Sequence, residues 1–291
     1  MNDPVSHPVI NDLSKKIDSL TPKAQTLGNY IMLNPSKAVF MTTKELAQAC
    51  HISEATVVRF VSTLGYSGYS DFQNALKDFV NTGLSLPERA DIKGIRERGA
   101  DRLHRGILEE LGNLQFLYKN INVDTMNEFV EALDRAHTVY VVGSRISYTY
   151  AYYLGWSLTK IRKGIHILKG SDSASIDMLA NANPESLVIL ATSTRYPNEL
   201  IKLARMVWRS SHTLLTMTDS SICPVAGFAD ISLVVPSRSI PFIGNISGML
   251  AVIQYIVQEL ANQRGEELEK YQKKLEQVYL ENDILFNLDP K

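Results

Sequence analysis

Two groups of residues in this chain have the types and spacing for polar recognition rather than for making or breaking bonds. The first runs from Thr42, Thr43 and Lys44 through Ser53, Glu54, Ala55, Thr56 and Arg59 to Tyr66, Ser67 and Tyr69. Hydroxyls and cations of this kind bond phosphate oxygens. An arginine also reaches guanine, and a glutamate accepts from the amino group of cytosine. The second group is a pair of short hydroxyl-rich stretches, Gly143-Ser144-Arg145-Ile146-Ser147 and Thr192-Ser193-Thr194-Arg195, with Glu199 shortly after. Hydroxyls, backbone N–H groups and helix starts together make an anion site, and the two arginines add charge for a phosphate or carboxylate. The plainer reading is that these serines and threonines only cap helices, and that Tyr66 and Tyr69 only pack a small domain.

Acid–base chemistry is poorly marked. Moving a carbonyl along a sugar needs a positioned base. Glu199 and His166 are the candidates, but Glu199 also suits a helix start, and His166 alternates within a strand as a packed residue. Cys50 and Cys223 lie far apart and fit no metal or disulfide spacing, so they read as reduced cytoplasmic thiols. We expect no catalytic residue, no metal and no cofactor.

The elements that must position the first group read as two crossed helices within Thr42–Phe60. Leu46, Ala47, Ile52, Val57 and Phe60 fall where such helices meet, and Ala47 is small enough for close crossing. His51 stands where the turn needs a left-handed residue. Ser53 is placed to cap the second helix through the N–H of Thr56, and Thr42 or Thr43 caps the first, where it is also placed to hold a phosphate. This is the helix-turn-helix arrangement, whose second helix enters the major groove of DNA. Around it, Leu13, Ile17 and Leu20 mark a short first helix, Thr21-Pro22 starts a second that ends near Leu33, and Ser70 caps a last one through Val80.

At 291 residues the chain has room for two domains, and 45% hydrophobic with 21% charged residues is ordinary for a globular protein. The formal net charge is −1, and residues 1–80 hold seven Lys or Arg against seven Asp or Glu. That excludes a general DNA-coating protein, which needs cation excess, but not a specific dimer. Asp3, Pro4 and His7 interrupt any signal peptide, and no apolar run approaches the roughly 18 residues of a membrane span, so no membrane partner is expected.

Residues 81–100 read as a linker spread with Gly83, Pro87, Gly94 and Gly99, followed by a helix over 101–118 with Leu103, Ile107, Leu111 and Leu114 at helical spacing. That helix packs on the second domain or on a partner subunit. Apolar runs at 138–143, 164–168, 186–192, 213–219 and 229–236, separated by helices, predict a five-stranded parallel sheet with helices on both faces. The hydroxyl-rich stretches then sit at the carboxyl ends of its first and third strands, where such sheets bind ligands. A buried helix over 246–262 and an amphipathic one over 266–280, striped by Tyr271, Leu275, Val278 and Tyr279, complete the chain. The expected division is 1–80 DNA binding, 81–120 linker and connecting helix, 121–265 effector domain, and 266–291 helix and tail.

With these parts together the chain resembles the RpiR family of bacterial transcription regulators. The resemblance is carried by LTPKAQTLGNYIMLNP, TTKELAQACHISEATVVRFVSTLGYSGYSDFQ, VYVVGSRIS, LVILATSTRYPNE and TLLTMTDSSICPVAGFADISLVVP. It implies a multidomain fold, an all-α helix-turn-helix domain followed by a sugar isomerase (SIS) type α/β sandwich of flavodoxin-like character. It also implies a homodimer or homotetramer on an operator near metabolic genes, and two half-sites read by a dimer make that double-stranded operator palindromic. A small anionic metabolite, a phosphorylated sugar in the family, would shift DNA affinity from the second domain. Three departures stand out. Arg145 occupies a position where the family's first turn commonly has Gly, and in the third-strand turn Arg195 replaces Gly and Pro197 replaces Thr. Two other readings compete. One is a SIS-type isomerase fused to a helical domain. The other is an oligomeric DNA-binding scaffold without ligand.

Overall fold

The computed structural model describes residues 8–83, 85–92, 99–237 and 243–285. The chain divides into two compact units, 1–89 and 90–291. The first is helical: α1 (Pro8–Lys16) with a following 3-10 turn, α2 (Pro22–Leu33), α3 (Pro35–Ala38), α4 (Thr43–Ala49), α5 (Glu54–Leu64) and α6 (Tyr69–Gly83), with α7 (Leu86–Ile92) at its end. Pro22 occupies the first turn of α2, where its missing N–H costs nothing. Thr21 precedes it in extended conformation but makes no side-chain cap. Leu13, Leu27, Ile31, Leu46, Val57, Phe60, Phe72 and Leu76 form the buried interior, with Phe60 and Phe72 edge to face at 6.1 Å.

Two expectations change here. Ser70 is not the cap of α6, because the helix starts at Tyr69 and Asp71 bonds back to the Ser67 N–H and hydroxyl, both at 3.1 Å. The segment expected as an irregular linker holds the end of α6 and all of α7. Apolar periodicity missed it because its anchor is polar. Arg89 is buried, and its guanidinium donates to the Asn81 carbonyl. Gly94, counted in that linker, lies outside the described residues.

The second unit carries α8 (Ala100–Asn120), α9 (Val123–Arg135), β1 (Val139–Gly143), α10 (Ser147–Leu158), β2 (Ile165–Lys169), α11 (Ser173–Ala180), β3 (Leu187–Ala191), α12 (Asn198–Arg209), β4 (Thr213–Thr218), β5 (Ile231–Val234) and α13 (Ile246–Glu281). The five strands are all parallel, in the order β2-β1-β3-β4-β5. One core lies between the sheet and α9, α10 and α13, and includes Phe129, Val141, Leu154, Ile189 and Ile253. The other, with Val142, Leu179, Leu190, Leu203 and Val207, lies under α11 and α12. The two helices expected at 246–262 and 266–280 form one run broken at Gly265, whose φ of 46° and ψ of −120° are not helical. Beyond that kink the Tyr271 hydroxyl donates to the Thr159 carbonyl at 2.9 Å, so the tail docks on the unit.

Register decides the site. Gly143 is level with Lys169 of β2 and Ala191 of β3, and Ala191 with Met217 of β4. The order reverses between β1 and β3, so the chain leaves these neighbours in opposite directions and opens a crevice beyond their carboxyl ends. Both hydroxyl-rich turns border it.

Candidate nucleic-acid interface and anion crevice

On the first unit the turn closes through the Ile52 N–H on the Ala47 carbonyl at 2.9 Å, and His51 takes φ 51°. Ser53 caps α5, its Oγ accepting from the Thr56 N–H at 3.3 Å and sharing a bond with Thr56 Oγ1 at 2.9 Å. Gly65, at φ 102°, ends the helix in the left-handed conformation that glycine adopts freely. Lys16 on α1, which sequence reading passed over, donates to the Thr63 and Leu64 carbonyls at 3.2 and 3.1 Å and so closes the same end.

The inward residues are as expected: Val57 and Phe60 are buried, and Leu46 and Ala47 are buried beneath α5. Ser53, Glu54, Ala55 and Arg59 are exposed, and Thr56 is half-buried. The Arg59 Nε donates to the Ala55 carbonyl at 3.3 Å, which leaves the terminal nitrogens without a partner among the described residues. Between the two candidate caps of α4, the structure selects Thr42. Its hydroxyl accepts from the Glu45 N–H at 3.2 Å and donates to the Glu45 carboxylate at 2.9 Å, while its own N–H bonds the same carboxylate at 2.7 Å. These bonds hold the Glu45 carboxyl below the usual carboxylate range. The Thr42 hydroxyl is thus engaged in a capping box, and Thr43 donates to Glu54 at 3.0 Å. Of the first-helix candidates, Lys44 alone is an exposed cation. Tyr69 donates to the Met41 carbonyl at 2.6 Å, and burial pushes its hydroxyl up to about 12. Tyr66 packs edge to face on Phe72 at 5.4 Å, and Ser67 is bonded to Asp71. The two tyrosines and Ser67 therefore have internal structural duties, for the tyrosines the plainer reading of the sequence.

In the second unit, a Cβ on Gly143 would lie 2.5 Å from the Ser147 carbonyl oxygen, so the start of α10 folds directly over the strand end. Ser144 is buried with no partner for its Oγ among the described residues, and so is Thr192 Oγ1. Ser147 and Ser193, both buried, face each other at 3.2 Å between hydroxyl oxygens and join the two turns across the crevice. The Tyr150 hydroxyl is buried with no hydrogen-bond partner among the described residues. Burial first, then the nearby Asp219 charge, push it up to about 12.

Two of the three departures from the family pattern have a common geometry. Arg145 and Arg195 are exposed and adopt φ 53° and 67°. Both positions demand the left-handed region that glycine enters freely, and an L-residue there costs about 1–2 kcal/mol. Pro197 precedes α12 with φ −66° and makes no cap bond. Glu199 is half-buried against the loop after β2, its Oε2 3.1 Å from where a Gly170 Cβ would stand. His166 stacks on Tyr140 at 4.9 Å, as a packed strand residue does.

Sequence reasoning missed Asp219. Its Oδ2 accepts the Thr194 N–H at 2.8 Å and the Thr194 hydroxyl, and its Oδ1 accepts from Tyr196 at 3.1 Å. Both Thr194 donors thus hold the turn, and the free polar edge of the crevice shifts toward Ser144, Ser147, Thr192 and Ser193. The signal was present: Asp219 ends the TLLTMTD run, at the same carboxyl edge of the sheet. No group of three or more His, Cys, Asp or Glu residues suited to a metal occurs among the described residues.

The rpiR-family helix-turn-helix domain model matches residues 7–83, and the SIS domain model matches residues 132–258. An uncharacterised HTH-type transcriptional regulator of Clostridium perfringens, CPE0189, is 21% identical over 84% of this chain and 88% of its own. The sugar isomerase domain of an RpiR transcription factor from Sphaerobacter thermophilus is 26% identical, with a TM-score of 0.55 over 59% of this chain and 96% of its own. The NanR protein of Vibrio vulnificus, solved with ManNAc-6P, shares the fold at 21% identity and a TM-score of 0.56, over 96% of this chain and 100% of its own. With a helix-turn-helix at one end and a switch-point crevice in a five-stranded parallel sheet at the other, this chain belongs to the RpiR family of helix-turn-helix proteins that carry a SIS domain.

Proposed function

We propose that this protein is a transcription regulator that reads a DNA operator with α5 and adjusts its affinity when a small anionic metabolite binds the switch-point crevice. The observation that carries the ligand reading is the Ser147–Ser193 pair. Two hydroxyls from different strand ends meet at 3.2 Å, flanked by two arginines held in left-handed backbone. A phosphorylated sugar suits that set, with hydroxyls for its own hydroxyls and guanidinium groups for the phosphate. The ManNAc-6P bound to NanR supports this ligand class. The division of labour follows: residues 1–80 for DNA, 121–265 for effector, with 81–120 connecting them and 266–291 as closing helix and tail.

The reading includes self-association in the cytoplasm. Leu103, Ile107, Leu111, Leu114 and Tyr118 of α8 are exposed along one helix stripe, which suits a partner subunit. A homodimer or homotetramer then reads a palindromic operator with half-sites about 34–36 Å apart. No helix among the described residues is long and apolar enough to cross a membrane.

The full chain screened by thermal shift against sugar phosphates and other metabolic anions tests this function. A ligand present at 100 times its dissociation constant adds about 2.7 kcal/mol of stability. A stabilising sugar phosphate that also moves operator affinity is the expected result. Turnover of that sugar phosphate by the purified protein would replace the regulator with an isomerase. A panel without a hit would favour the ligand-free scaffold.

A further inference from the structure

The outward face of the recognition helix contains a residue that the recognition set Ser53–Thr56 and Arg59 passes over. On α5, Val57, Phe60, Val61 and Leu64 are buried. The opposite face carries Ala55, Val58, Arg59 and Ser62, spaced i, i+3, i+4 and i+7, and all four are exposed. Val58 is 51% exposed. A β-branched residue is a poor choice for an exposed helix position, since it loses rotamer freedom and gains no burial.

The polar neighbours are turned to other tasks. Ser62 Oγ donates back to the Val58 carbonyl at 3.2 Å, Thr63 Oγ1 to the Arg59 carbonyl at 2.9 Å, and Glu54 accepts from Thr43 at 3.0 Å. Ala55 and Val58 thus form a small apolar strip beside Arg59, on the face that a helix-turn-helix turns into the major groove. In that groove the donors and acceptors of all four bases are polar, and the one apolar group on offer is the 5-methyl of thymine.

We infer that Val58, with Ala55 beside it, is a specificity-determining residue that reads a thymine methyl in each operator half-site, next to the base or phosphate taken by Arg59. The inference rests on the DNA-binding reading above. It adds a sequence requirement that hydrogen bonding does not supply.

The test uses the full chain. The preferred duplex is selected from a randomised pool, and each thymine of one half-site is then replaced singly by deoxyuridine, which keeps the pairing and removes only the methyl. At fixed salt, one replacement is expected to weaken wild-type binding about fourfold, the factor that burying one methyl group corresponds to. Val58→Ala is expected to bind the thymine and uracil duplexes equally. Its thermal unfolding should equal or slightly exceed that of wild type, because the position is exposed and alanine is the better helix former. If no single replacement affects wild-type binding, or if Val58→Ala shows the same loss as wild type, the inference is overturned. A selection that enriches no sequence overturns the DNA-binding reading and this inference with it.

Discussion

Replacing Arg195 by glycine separates backbone strain from charge at the crevice. Arg195 is exposed and holds φ 67°. An L-residue in that region costs about 1–2 kcal/mol. Glycine removes that cost but gives back roughly 0.5–1 kcal/mol through its larger unfolded-state freedom. The difference predicts that Arg195→Gly raises the stability of the second unit by up to about 1.5 kcal/mol. The same change removes a guanidinium, so affinity for an anionic effector falls by the roughly 1.5–3 kcal/mol of a hydrogen bond to a charged group. Stability and affinity therefore move in opposite directions. Both tryptophans, Trp156 and Trp208, lie in the second unit, so urea unfolding followed by their fluorescence reports that unit alone. Arg195→Ala is the control: it keeps the strained backbone and loses the charge, so affinity drops without a gain in stability. A loss of stability in Arg195→Gly would refute the reasoning, because it would mean that the side chain itself holds the turn. Arg145, at φ 53°, is expected to behave alike.

Asp219→Asn weakens a carboxylate that accepts from the Thr194 N–H, the Thr194 hydroxyl and Tyr196. A loss of about 1–3 kcal/mol is expected in the same fluorescence-detected unfolding, and no loss would mean that the turn is held by other contacts. Tyr150 sits near 12 in the folded chain against about 10 unfolded. Its contribution to stability is thus complete below pH 10 and lost as pH rises toward 12. Tyr150→Phe should flatten that alkaline decline, and an unchanged profile would remove Tyr150 as its source. Ser53→Ala removes the cap of α5 and should cost about 1 kcal/mol in the first unit, read by the midpoint of helical circular dichroism.

Much of this molecule follows from local patterning. Continuous apolar runs marked all five strands, and the bracketing of Ile52 by His51 and Ser53 placed the reading helix to within a residue, because turn and cap chemistry act over three or four neighbours. What escaped was carried by distant or polar contacts. Arg89 buries a charge to tie α7 back to Asn81, and a scan for apolar periodicity does not see it. Asp219 meets Thr194 across 25 positions, and only strand register brings them together. Helix α9 was legible in Met126, Phe129, Val130 and Leu133 yet went unassigned, whereas α11 has eight residues and too short a period to show. At the crevice the two hydroxyl-rich turns are legible in the sequence. The pairing of Ser147 with Ser193, and the left-handed backbone at both arginines, needed coordinates.

The central claim is that the crevice communicates with DNA binding. The most direct measurement is operator affinity of the full chain at fixed salt, with and without the sugar phosphate that most stabilises it, for wild type and for the double variant Arg145→Ala, Arg195→Ala. The account predicts that the ligand changes wild-type affinity at least tenfold, about 1.4 kcal/mol of coupling, and that the variant binds the operator normally but no longer responds. Equal operator affinity with and without bound ligand in the wild type would contradict it.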